Sequence, residues 1–191
     1  MTYLNPSDAV AQQENLTCQI FDELRNKTFD GIGVTRASYG DGEQVARDIM
    51  AKTATQMGLI VEDDAAGNVY MTLKGEKTGA KPVIIGSHID SVAQGGNFDG
   101  AAGVVSGLIA CASLIESGIT PSCDIKVMGI RAEESAWFGV SYIGSRSALG
   151  TLPPDALQNA NRVDTGRTLG DHMRSAGCNP DALKEGHVFL P

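Results

Sequence analysis

Basic residues are scarce in this chain. Fifteen Lys and Arg stand against 23 Asp and Glu over 191 residues, a net charge of −8 with histidine neutral. Nucleic acids and anionic membranes require a basic footprint, so neither is expected as the main partner. Long apolar runs are lacking too: nothing approaches the 18 or so residues of a membrane span. The opening MTYLNPSDAV has neither a basic n-region nor an apolar h-region, so no secretory signal is read there. Cys18, Cys111, Cys123 and Cys178 are scattered without a CxxC pair. They read as free thiols, and the expected compartment is the cytoplasm. Nucleotide and nucleophile signatures are missing as well. Gly75-Glu76-Lys77-Thr78 has no phosphate loop ahead of it, and Gly95-Gly96 does not spell GxGxxG. Gly139-Val140-Ser141-Tyr142-Ile143-Gly144 misses the nucleophile-elbow spacing by one residue.

What is present suits a globular core. Hydrophobic residues make up 42% and charged residues 20%, enough for one domain or a little more. Glycine is in surplus, 23 of 191, which marks tight turns and close backbone approaches. Val10, Leu16, Ile20, Phe21 and Leu24 predict an amphipathic helix over 7–27. A second helix is expected from Asp41, as N-cap, to about Met57, with Gly58 ending it. Strands over 59–62 and 68–73 flank a turn-rich 63–67, and 74–81 is a polar loop. The continuous run Val83-Ile84-Ile85 predicts a central strand ending at His88. A helix over 99–117, a strand over 123–130 and a loop over 131–140 follow, then a short helix over 169–176. Strands alternating with long helices give an α/β fold: a three-layer sheet, parallel in its centre and flanked by helices.

Ligands of such sheets gather beyond the carboxyl ends of the strands. Two segments fall there, Gly86-Ser87-His88-Ile89-Asp90-Ser91 running on to Asp99-Gly100, and Arg131-Ala132-Glu133-Glu134-Ser135. Residues i and i+2 of extended backbone share a side, so Asp90 can fix the His88 imidazole directly or through a neighbour. Asp99, placed at a helix start, should remain ionised and could bridge two cations. Glu133 and Glu134 are adjacent, so their side chains diverge and one can ligate a metal while the other holds a water. Taken singly, each has a plainer reading: a structural histidine, a helix cap, a solvated glutamate pair. Their convergence on one sheet edge favours a metal site instead. Imidazole plus carboxylates suits Zn²⁺, with Mn²⁺, Co²⁺ or Ni²⁺ as alternatives. His172 and His187 have no ligand spacing and read as surface residues. Trp137 and Phe138 could wall a pocket or fill the core.

These stretches resemble the dinuclear-metal amidohydrolases of the N-carbamoyl-L-amino-acid hydrolase, allantoate amidohydrolase and β-ureidopropionase group, within the aminoacylase/carboxypeptidase superfamily. The similarity extends through Gly95-Gly96-Asn97-Phe98-Asp99-Gly100, Glu133-Glu134-Ser135-Ala136-Trp137-Phe138-Gly139 and Ile143-Gly144-Ser145-Arg146. Upstream, Gly33-Val34-Thr35-Arg36 and Asp64-Ala65-Ala66-Gly67-Asn68 are similar as well. The resemblance implies a zinc-exopeptidase-like catalytic domain holding two divalent metal ions. His88 would bind one ion, Asp99 would bridge both and Glu134 would bind the other. Glu133 would be the general base and Asp90 the orienting carboxylate. The implied reaction is hydrolysis of a linear amide or ureido C–N bond in a small-molecule substrate.

Members of this group are about twice as long and carry further metal histidines, a lid and dimerisation domain. The resemblance therefore implies that residues 1–191 are the N-terminal part of the catalytic domain, truncated before those features. A complementing C-terminal chain or a homodimer would be the partner. Two alternatives stand beside this reading: a non-catalytic remnant or interaction module pairing through its C-terminal edge at Val188-Phe189-Leu190, and a metallopeptidase or aminoacylase of the same superfamily.

Overall fold

In the computed structural model, residues 5–153 and 155–184 are described. The first expected helix is two: α1 (Pro6–Gln12) and α2 (Glu14–Thr28), joined at Gln13. The Gln13 N–H turns back to the Val10 carbonyl while its own carbonyl accepts from Thr17, through both N–H and hydroxyl. This tightening lets α1 lie on the later helix α4 (Ala101–Glu116) while α2 packs on α3 (Asp41–Gln56).

Helix α3 begins one residue earlier than Asp41 as N-cap would require, with Gly40 in that position and no side-chain cap. Glu43 instead reaches back to the Tyr39 N–H at 2.7 Å, close to the logic of a capping box. Gly58 ends the helix region at φ +82°, as expected.

The strands are β1 (Ile60–Asp63), β2 (Val69–Leu73), β3 (Val83–His88) and β4 (Ile125–Ile130), in the order β1-β2-β4-β3. Only β3 and β4 run parallel, with His88 opposite Ile130; β1–β2 and β2–β4 are antiparallel. The sheet is thus mixed, and β3, expected as a central strand, is an edge strand. The parallel pair β4–β3 lies at one side of the sheet rather than in its centre, because β4 pairs antiparallel with β2 on its other side. It is this pair that leads to the expected site.

Val69, Met71 and Val127 turn to one face and pack with Ile20, Leu24, Met50, Val104 and Leu108 of the helices. Their neighbours Tyr70 and Met128 turn to the other face and meet Ala148 of α5 (Ile143–Ala148). Alternation along the strands therefore supplies both inner surfaces of a three-layer α/β arrangement.

Helices α6 (Ala156–Asn159), α7 (Leu169–Ser175) and α8 (Pro180–Lys184) follow. Beyond the strand ends they enclose a second core with Tyr39, Trp137, Phe138, Ile143, Leu157 and Met173. Trp137 and Phe138 are therefore core residues. His172, expected at the surface, is buried, its ring edge-on to Phe138 and its Nε2 2.8 Å from the Thr165 hydroxyl. It lies on the stripe of α7, with Leu169 and Met173, that faces this second core. His187 and the apolar tail 188–191 lie outside the described residues.

Candidate metal centre

Parallel pairing of β3 with β4 brings the ends of both strands to the same edge, and the two expected segments meet there. His88 closes β3. A Cβ on Gly100 would lie 2.4 Å from His88 Nδ1, and Gly100 itself sits at φ +64°. Only glycine combines that close approach with that backbone. Asp99 precedes Gly100, which is the N-cap of α4, so Asp99 stands two residues ahead of the helix rather than at its start. Its place is set by backbone contacts, and the helix-dipole argument for it does not apply.

His88 Nε2 lies 3.6 Å from Asp99 Oδ1 and 4.0 Å from Glu134 Oε1. One donor atom from each of the three falls within 4.8 Å of the others. Ligands of a tetrahedral Zn²⁺, at about 2.0–2.2 Å, stand about 3.3–3.6 Å apart. The three side chains thus fit a cation once the widest pair closes by about 1 Å, a side-chain movement. The donor chemistry, one imidazole and two carboxylates, is that of a first-row divalent ion.

Asp90 is wholly buried and joins the segments. Its carboxylate accepts from the Ser38 hydroxyl at 2.7 Å and from the N–H groups of Glu133 and Glu134, each at 3.1 Å. It also stands 3.4 Å from His88 Nδ1, which lies 3.0 Å from the Asp90 carbonyl. With Nδ1 turned to Asp90, Nε2 faces the acidic ligands. The hydrogen bond to Asp90 raises the His88 pKa to about 9 against the opposing effect of burial, and Asp99 adds to the rise.

Glu133 and Glu134 do diverge. Glu134 joins His88 and Asp99, whereas Glu133 accepts from the Ser145 N–H at 2.8 Å and hydroxyl at 3.1 Å. Burial raises the Glu133 pKa, with the Ser145 bonds pulling the other way. That balance gives a carboxylate more basic than usual, the property a general base needs.

Four supporting residues were not identified from the sequence: Ser38, Ser145, Glu43 and Arg131. Glu43 and Arg131 form a buried ion pair at 2.7 Å, and Glu43 Oε1 also accepts the Ala132 N–H at 2.8 Å. Ala132 has φ +53°, an uncommon conformation for a residue with a side chain. It turns the chain immediately before the two glutamates.

A model of peptidase family M28 matches residues 68–163, which is 96 of the 191 residues. The chain belongs to this family. It is 40% identical over 153 residues to an N-carbamoyl-L-amino acid amidohydrolase of Geobacillus stearothermophilus, covering 80% of this chain and 37% of that protein. It is 30% identical over 145 residues to an allantoate amidohydrolase of Bacillus subtilis, covering 76% of this chain and 35% of the relative. Among solved structures, an amidase of the hydantoinase/carbamoylase family from Burkholderia multivorans superposes with a TM-score of 0.78. It is 30% identical, with 85% of this chain and 40% of that chain covered. This member of the family therefore spans roughly two fifths or less of the length of the relatives it matches. The likeness bears out both the recognised group and the α/β catalytic fold.

Proposed function

We propose that this chain is the N-terminal part of a metal-dependent amidohydrolase that cleaves a linear amide or ureido C–N bond of N-carbamoyl-amino-acid or allantoate type. The observation that carries the reading is the meeting of His88, Asp99 and Glu134 donors beyond the parallel strand pair. In this reading His88, Asp99 and Glu134 would hold two divalent cations, Zn²⁺ by preference. When bound, such ions supply Lewis acidity toward the scissile carbonyl and lower the pKa of water. Glu133 takes a proton from the attacking water as the new C–O bond forms, and delivers it to the departing nitrogen as the C–N bond breaks. Ser145 holds the Glu133 carboxylate in one orientation. Asp90 keeps the His88 ring turned so that Nε2 faces the acids.

The rest of the catalytic domain and the lid and dimerisation domain belong, in this reading, to polypeptide beyond these residues. Val83 and Ile84 of the edge strand β3 are 52% and 40% exposed. Parallel strands are normally covered on both faces, which supports a complementing chain, or a second subunit, joining there. Four free thiols support a cytoplasmic setting. Among the described residues, no helix is long and apolar enough to cross a membrane.

Calorimetric titration with Zn²⁺ tests the centre: wild type should bind, and His88→Ala and Glu134→Gln should bind at least tenfold more weakly. Hydrolysis of an N-carbamoyl amino acid and of a dipeptide, assayed alone and with a downstream chain added, tests the reaction, with Glu133→Gln as the control for the base. No Zn²⁺ binding by the folded wild type would favour a non-catalytic module. Dipeptide cleavage without ureido cleavage would favour the peptidase reading.

A further inference from the structure

The segment Gly33-Val34-Thr35-Arg36 is far from the candidate ligands in sequence, and nothing above gives it a task. In the fold it runs along the loop between His88 and Asp99. Val34 and Gly95 exchange N–H···O bonds of 3.0 and 2.8 Å, and a Cβ on Gly33 would lie 2.5 Å from the Gln94 backbone. The Thr35 hydroxyl accepts the Gln94 N–H at 3.0 Å and is itself fixed by Asp30. Arg36 and Ser91 are locked reciprocally, through the Arg36 N–H to Ser91 Oγ at 3.0 Å and the Ser91 N–H to the Arg36 carbonyl at 2.9 Å.

The Arg36 side chain then enters the interior, where the residue has no exposed surface. Its Nε donates to the Ile89 carbonyl at 2.8 Å and its NH2 nitrogen to the Asp99 carbonyl at 2.9 Å. A longer contact of 3.4 Å runs from its NH1 nitrogen to the carbonyl of Asn97. A buried guanidinium usually sits on a carboxylate. Here all three contacts are carbonyls of the loop that carries the candidate ligands, one beside His88 and one belonging to Asp99 itself.

We infer that Arg36 is a positioning residue of the metal centre, fixing the loop between His88 and Asp99 so that the two donors are set for one cation. The inference rests on the metal-centre reading above. Asp99 has a side chain that is 53% exposed, so packing does not hold its carboxylate in place. The carbonyl held by Arg36, together with the Ala101 N–H on the same oxygen, is its anchor. Without the planar fork, the Ile89 and Asn97 carbonyls lose the guanidinium donor and the Asp99 carbonyl keeps the Ala101 N–H alone of its two, so the loop relaxes away from His88. Lysine keeps the charge but offers a single ammonium and cannot span the three.

The test is Zn²⁺ calorimetry on wild type, Arg36→Lys and Leu24→Ala, compared at equal folded fraction. Leu24 is a core residue of α2 outside the centre, so its variant reports destabilisation alone. Arg36→Lys should lose about 10–100-fold in affinity, the usual effect of disturbing groups that orient metal ligands, and Leu24→Ala little. Equal affinities for Arg36→Lys and wild type would overturn the inference while leaving the centre intact. Absence of binding in wild type would overturn the centre and the inference with it. A second readout needs no variant. In wild type labelled with ¹⁵N-arginine, the Arg36 Nε–H should exchange slowly and shift on addition of Zn²⁺. A signal indifferent to Zn²⁺ in a protein that binds it refutes the inference even where Arg36→Lys does not fold.

Discussion

Replacing Glu43 by alanine is the sharpest test of how the site is supported. Glu43 is fully buried and accepts from three donors: the Tyr39 N–H at 2.7 Å, Arg131 Nε at 2.7 Å and the Ala132 N–H at 2.8 Å. Arg131 is itself 1% exposed, with its Cζ 4.8 Å from the Tyr39 ring centroid. Burial disfavours its charge, but Glu43 foremost, with Tyr39 and Cys178, more than offsets that, so Arg131 remains a cation. Glu43→Ala leaves this cation without its carboxylate, a change that costs about 3–5 kcal/mol. In a domain of this size each kcal/mol lowers Tm by about 2–4 °C, so the fall should be about 6–20 °C by calorimetry or circular dichroism. The double variant Glu43→Ala/Arg131→Met removes the stranded charge and should be more stable than Glu43→Ala alone. The two orphaned N–H groups keep it below wild type, at about 1–3 kcal/mol each. A double variant as unstable as the sum of the two single variants would refute the reasoning, because independent sites add and a coupled pair does not.

Two further outcomes follow from the geometry. Gly100→Ala places a methyl 2.4 Å from His88 Nδ1 on a backbone of φ +64°. It should destabilise by at least the roughly 1–2 kcal/mol of a left-handed alanine and weaken Zn²⁺ binding at least tenfold; unchanged Zn²⁺ calorimetry would contradict the close approach. His172 has a pKa lowered by burial and by Arg162 and Arg167. A folded pKa below the unfolded one gives stability that is present above about pH 6.5 and lost as pH falls through the folded value. Urea midpoints measured from pH 7.5 to 5 should therefore fall more steeply for wild type than for His172→Gln, and parallel profiles would show that His172 does not titrate in this way.

Local elements were legible because they are encoded locally. The glycine after α3 stands in the sequence as it stands in the fold, and the run Val83-Ile84-Ile85 does form β3, but at the sheet edge with Val83 and Ile84 exposed rather than in the centre. Strand order was not legible, since pairing β4 between β2 and β3 depends on contacts across some fifty residues. The candidate ligands could be named because strand ends and residue chemistry single them out. The charges beneath them were harder, because Arg36, Glu43 and Arg131 are buried where composition places charges outside. A signal for Glu43 does exist: it shares the helical stripe of Ala46, Met50 and Thr53, all buried on α3. Likewise His172 lies beside Leu169 and Met173 on the inward stripe of α7. Arg36 carries no comparable mark, because its partners are backbone carbonyls that no side-chain pattern announces.

Four acidic residues stand near the strand ends, and hydrogen bonding sorts them. Asp90 is surrounded by the Ser38 hydroxyl, two backbone N–H groups and the His88 ring, so its lone pairs are committed to the protein. Glu133 is committed to Ser145 through both oxygens. Asp99 and Glu134 are left to face His88 Nε2 with their carboxylates. Exposure runs from none of the Asp90 side chain to about half of the Asp99 side chain, with Glu133 and Glu134 both between. An acid buried and ringed by donors orients its neighbours, whereas acids left at the opening have unshared oxygens for a cation. The N–H and hydroxyl groups that reach each carboxylate thus separate those held by the protein from those left open to a cation, and adjacent residues such as Glu133, held by Ser145, and Glu134, beside His88 Nε2, fall on opposite sides of that division.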